Sequence, residues 1–132
     1  MIKELTTYIE NNTVLVIDTD LFAGFRPSDA PDQCVAILEP TGGAVDSYFP
    51  DAGEKVIQVL SRAVSYWDAR ADAYTVFDLL KSKAQVTFPI IVSDTIYKAE
   101  FIEAQHFPQS LQQDEEGRWE FSTNVIIRIR TM

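Results

Sequence analysis

The chain has little of what most enzymes are built from: its 132 residues hold one cysteine, Cys34, and one histidine, His106. A lone cysteine excludes an internal disulfide, and a nucleophile that needs an imidazole base has a single candidate to rely on. Cys34 sits in the apolar run Val35-Ala36-Ile37, where a thiol serves as a small buried hydrophobe. His106, just before Phe107-Pro108, reads as an imidazole bonded locally at a strand end. Basic residues are also scarce, 11 Lys and Arg against 20 Asp and Glu, for a net charge of −9. That excludes a surface that tracks nucleic-acid phosphates, which needs clustered cations. Arg128 and Arg130, alternating near the end, read as solvation and protection of a strand. No apolar run approaches the roughly 18 residues that cross a bilayer. The start, Met1-Ile2-Lys3-Glu4-Leu5, lacks the basic and apolar regions of a signal peptide, so no membrane partner and a cytoplasmic location are expected. Metal and phosphate motifs are missing too. After Asp18-Thr19-Asp20 come Leu21, Phe22 and Ala23 where a calcium loop needs further oxygen ligands, and Gly42-Gly43 is not followed by a Lys-Ser or Lys-Thr pair. No catalytic residue, metal ligand or cofactor is expected.

What is present is the texture of one ordinary domain spanning 1–132, with 46% apolar and 23% charged residues. Ile2, Leu5 and Ile9 at helical spacing predict a helix over 2–11. Val14 to Ile17 reads as a short buried strand, and Gln33 to Leu38 and Lys55 to Val64 as two more. Between the first two, the mixture of Gly24, Pro27 and Pro31 with aromatics predicts irregular chain from Leu21 onward. Ser65 is placed to cap a helix with Asp68 three residues on, and Ala69, Ala73, Val76, Phe77 and Leu80 form its apolar stripe. Strands over 85–92 and 95–107 follow. Pro108 then stops the chain, a polar run with Gly117 turns it, and Trp119, Phe121, Thr123, Val125, Ile127 and Ile129 share one face of a last strand. The order helix, three strands, helix, three strands predicts an α+β fold. It consists of a mostly antiparallel sheet of about six strands with two helices packed on one face.

The aromatics divide by context. Phe77, Phe88, Trp119 and Phe121 have the periodicity of a core, whereas Phe22, Phe25, Tyr48 and Phe49 sit in Gly/Pro-rich segments. Such rings either tuck inward or anchor a partner. After Pro40 and Gly42-Gly43, the connection over 44–54, about a dozen residues, is long for a compact domain and points to an interaction site. Candidate interface residues are Phe22, Phe25, Arg26, Tyr48, Phe49 and Asp51. By residue chemistry alone, a peptide-binding module remains an alternative.

Several segments carry a resemblance. Gln105-x-x-Pro108-x-x-Leu111-x-x-Asp114-Glu115-x-Gly117-Arg118-x-x-Phe121-x-x-Asn124 resembles the C-terminal part of small bacteriophage tail-terminator proteins, often labelled minor capsid proteins. Asp20 to Pro27 with Pro31 to Glu39, and Gln58 to Ala63 running into the Tyr66–Leu80 helix, are similar to earlier parts of the same family. The resemblance implies a structural virion protein that forms a ring, six copies in this family, on the head-proximal end of a finished tail. Its implied partners are its own copies, the tail tube protein and a head-tail connector protein. Another neck or head-completion protein of such a virion is the nearest alternative.

Overall fold

A computed structural model describes residues 1–48, 52–91 and 94–131. Two helices, α1 (Ile2–Asn12) and α2 (Tyr66–Leu80), are set among eight strands. The strands are β1 (Leu21–Ala23), β2 (Cys34–Leu38), β3 (Ala44–Val45), β4 (Ala52–Ala63), β5 (Ser82–Thr87), β6 (Tyr97–Ala104), β7 (Gln109–Gln113) and β8 (Trp119–Thr131). They form one sheet in the order β1-β2-β4-β8-β6-β5, with β3 added to β4 and β7 to β8. Only β1 and β2 run parallel. The fold is therefore α+β and mostly antiparallel, with eight strands where the sequence predicted about six.

The difference has identifiable causes. Val14–Ile17 is no strand: Leu15 is buried, but Val14 and Val16 are exposed and only an isolated bridge joins Ile17 to Leu21. Asp18, in the left-handed region at φ 66, turns the chain there. Leu21–Ala23, predicted to be irregular, is instead β1, because its Gly/Pro punctuation begins only at Gly24. The long connection folds back on itself as β3, which is possible because two glycines let backbones meet. A Cβ on Gly43, which sits at φ +76, would run into the carbonyl of Glu54, and one on Gly53 would lie 2.5 Å from the carbonyl of Ala44. Finally, the polar run after Pro108 is itself a strand, β7, exposed along its length and hidden from a hydrophobic pattern.

Strands β4 and β8 pair over twelve residues, from Ala52↔Arg130 to Ala63↔Trp119, and form the spine of the sheet. Their odd-numbered residues build the core: Ile57 and Val59 from β4 join Val125, Ile127 and Ile129 from β8. Leu5 and Ile9 of α1, and Val76 and Leu80 of α2, belong to the same buried cluster. A smaller cluster holds Ala63, Ala69, Ala73 and Phe121, with Tyr66 and Trp119 packed against it. All five residues of the predicted α2 stripe are buried, and Ser65 accepts the Asp68 N–H as its cap at 3.5 Å. Even-numbered residues face the other way, where Val56, Leu60 and Ile126 are half-buried and Gln58 donates to the Ser122 hydroxyl at 2.9 Å.

Candidate functional site

The segment from Gly24 to Gln33 leaves β1 and crosses that second face. Gly24, at φ 88, donates its N–H to Ile37 at 2.8 Å while the chain turns off the sheet, which presents Phe25 at 68% exposure. Arg62 then holds the segment down. Its buried guanidinium donates to the carbonyls of Pro31 at 2.7 Å, Asp32 at 3.2 Å and Ala30 at 3.4 Å. The fork reaches these carbonyls from two separate nitrogens, Nε and Nη2, a spread that the single ammonium of a lysine does not offer. Across from it in the β2–β4 register lies Cys34, whose thiol is pushed up by burial even though Arg62 opposes the shift. A buried thiol held in its neutral form is a packing group and not a nucleophile.

A second arginine joins this segment to the β7–β8 turn. Arg118 bonds Asp114 at 2.8 Å, Asp32 at 3.3 Å and Glu116 at 3.3 Å. Asp114 also accepts the N–H groups of Glu116 and Arg118, both at 2.9 Å. Hydrogen bonding from the Arg118 backbone, helped by its guanidinium, holds the Asp114 carboxyl below the ordinary carboxylate range. Arg26 reaches Glu120 at 3.7 Å. The polar turn around Gly117 is thus also a clamp.

At the opposite end of the strands, Asp46 anchors the β3–β4 hairpin by accepting from Arg128 at 2.6 Å and from the Tyr48 N–H at 2.8 Å. The Asp46 carboxylate raises the Arg128 pKa further, fixing its charge. The hairpin carries Val45 at 78% and Tyr48 at 89% exposure. Register puts the β5–β6 connection at this same end, since β6 begins opposite the end of β8, and it adds exposed Ile90 and Ile91. The far end, where β4 finishes and β8 begins, carries exposed Val64 and Trp67. Between α1 and β1 lies a cleft of about 380 Å³ lined in part by Lys3, Thr6, Thr7, Asp18 and Ile91. The two threonine hydroxyls already donate to the Ile2 and Lys3 carbonyls.

Of the residues singled out from sequence, Phe25 and Tyr48 are exposed at different loops, and Arg26 is partly covered by its ion pair. Phe22 lies buried in β1, in register with Ala36 and so on the face that Gly24–Gln33 crosses. Phe49 and Asp51 fall outside the described residues. Sequence reasoning missed Val64, Trp67, Ile90 and Ile91. A signal existed for Trp67, which stands off the α2 apolar stripe, and for Ile90 and Ile91, which follow Pro89. His106 bridges a gap in the ladder between β6 and β7: its Nε2 accepts the Asn124 N–H at 3.3 Å and its Nδ1 lies 2.7 Å from the Phe107 carbonyl. Among the described residues, no cluster of His, Cys, Asp or Glu is arranged to hold a metal, and no helix is long and apolar enough to cross a membrane.

Comparison with known proteins gives one family. A family model described as bacteriophage tail terminator protein matches residues 8–131. No curated protein matches the chain. The chain belongs to the bacteriophage tail terminator family, whose members play a structural and not an enzymatic role in the virion tail.

Proposed function

We propose that this chain, as a tail terminator, closes into a ring of six copies on the head-proximal end of the tail tube. There it ends tube polymerisation and offers the surface to which the head is joined. The family match, running through 8–131 and hence through every strand, is the observation that carries this reading.

The distribution of exposed side chains supports it. A cap has to bind the last ring of the tube on one side while offering no copy of that surface on the other. A ring of subunits all pointing the same way meets this requirement, because its two faces are made from different ends of the subunit. Here one strand end carries Val45, Tyr48, Ile90 and Ile91, and the other carries Val64 and Trp67 beside an acidic turn. Exposed aromatics held on short, anchored loops are the usual energetic centres of protein interfaces. The partners under this reading are the tube protein, a head-tail connector protein and further copies of the chain.

Electron microscopy of particles made without this gene is the test. Tails unjoined to heads and of irregular, often excessive length are expected. Joined tails of normal length would overturn the proposal.

A further inference from the structure

The arginines of this chain are almost all spent internally, whereas Lys3 and Lys98 meet no acid among the described residues. Arg26, Arg118, Arg128 and Arg130 reach carboxylates of their own chain, and Arg62 is consumed by three carbonyls. Arg70 lies over the Tyr74 ring at 4.4 Å. On the outermost strand two lysines stand together: Lys83 of β5 is exposed and meets no acid among the described residues, and its neighbour Lys81 has an exposed contact with Asp78 at 3.5 Å and lies over the Phe77 ring at 6.0 Å. Strand β5 ends the sheet.

At the other side of the sheet the balance is reversed. Asp20 immediately precedes the edge strand β1, and Asp68 and Asp72 lie on α2, where Gln33 donates to Asp72 at 3.1 Å. Asp72 stands in the field of both other acids. Burial first, and then the charges of Asp20 and Asp68, hold the Asp72 carboxyl above its ordinary range. A chain with nine net negative charges can approach its own copy closely only where acids of one subunit meet cations of the next.

We infer that the β5 edge of one subunit, through Lys81 and Lys83, docks on the Asp20, Asp68 and Asp72 shoulder of the adjacent copy. This assigns the lateral contact of the proposed ring and rests on that reading. The contact is head to tail, since the two patches are different surfaces of the subunit, one at β5 and the other at the start of β1 and the N-terminal half of α2, and a contact of that type repeats around a closed ring. It is made by side chains and not by strand pairing: lysines, together with Gln85 kinked at φ 56, are features that keep an edge from adding a strand. Edge protection alone would also explain the lysines, but it needs a charge of either sign, whereas docking needs a positive one.

That distinction defines the experiment. The purified full chain is treated with a carbodiimide, which joins lysine amines directly to carboxylates, and the products are sized and mapped by mass spectrometry. A ladder of oligomers linked from Lys81 or Lys83 to Asp20, Asp68 or Asp72 is expected. Lys81→Glu with Lys83→Glu should lower the ladder about tenfold, and so should Asp68→Lys with Asp72→Lys. Mixing the two variants should restore it, because the reversed edge of one then faces the reversed shoulder of the other. Both lysines are exposed, so the first variant should fold, and circular dichroism verifies this for each. No ladder from the wild type at its highest soluble concentration would overturn the assignment. So would a lysine variant that crosslinks like the wild type, or a mixture of folded variants no better than either alone. None of these results involves tails, so they are independent of the microscopy that tests the cap itself.

Discussion

The two faces of the central sheet are closed by different physics. On one, the odd-numbered residues of β4 and β8 share an apolar cluster with residues of α1 and α2, where stability scales with the area removed from water. On the other, half-buried Val56, Leu60 and Ile126 are overlaid toward the β4–α2 end by a short irregular segment held by Arg62, Arg26 and Arg118. Apolar packing is tolerant of sequence but intolerant of lost volume. Tethering by guanidinium groups depends on a few donors, so its failure should be local: the segment lifts while the sheet survives. This contrast teaches why Phe25 is presented so firmly although its loop has little core of its own.

The apolar face should break most severely. Ile127, fully buried at the centre of β8, when cut to alanine should cost about 2–5 kcal/mol, the usual range for a large-to-small change in a core. Urea unfolding would measure it, and a cost of a few tenths would mean that the cluster is not the main source of stability. The tethered face should give less. Arg62→Lys keeps the charge but not the two separate nitrogens, so a loss of about 1–3 kcal/mol is expected, with faster amide exchange concentrated around the β1–β2 connection. Uniformly faster exchange across the sheet would show instead that the two faces are one cooperative unit.

A third change sharpens the comparison by making the apolar face more apolar. Thr123 stands on it, 1% exposed, with a hydroxyl that has no hydrogen-bond partner among the described residues. Thr123→Val should therefore stabilise the protein by about 1 kcal/mol, read as a higher midpoint of unfolding; a lower midpoint would mean that the hydroxyl is satisfied in solution.

The smallest effect belongs to pH at the tethered face. Asp114 has a folded pKa below its ordinary 3.8, so it binds protons less readily when folded. Its contribution is complete above the unfolded value and is lost as pH falls through the folded one. Asp72, held above 3.8, has the opposite sign: its ionisation on raising pH works against the fold. Carboxyl titrations by NMR should place Asp114 below and Asp72 above that value, and Asp114→Asn should remove the acid-side loss at the β7–β8 turn. An Asp114 titration at or above 3.8 would refute the clamp.

Much of this fold was legible from side-chain order alone, and the reason is periodicity. The stripe from Ala69 to Leu80 and the alternation from Phe121 to Ile129 record in one dimension which side of an element is dry. The membership of the chain was legible by resemblance and not by periodicity: the segments near Gly24, Ser61 and Gly117 that resemble the family lie within its match over 8–131. Strands β1, β3 and β7 were not legible. Each is short or exposed and is stabilised by hydrogen bonds to a neighbour distant in sequence, so its own residues carry no pattern. The candidate surfaces divide likewise. Phe25 and Tyr48 could be singled out because glycine and proline flank them, yet only the assembled sheet decided that they emerge at different loops while Phe22 is covered. Sequence determined which side chains must leave water. Tertiary structure decided which carbonyls Arg62 would bind, which acids would gather at Asp72 and which lysine would be left on the edge, because each of these depends on groups that meet only after the sheet has formed.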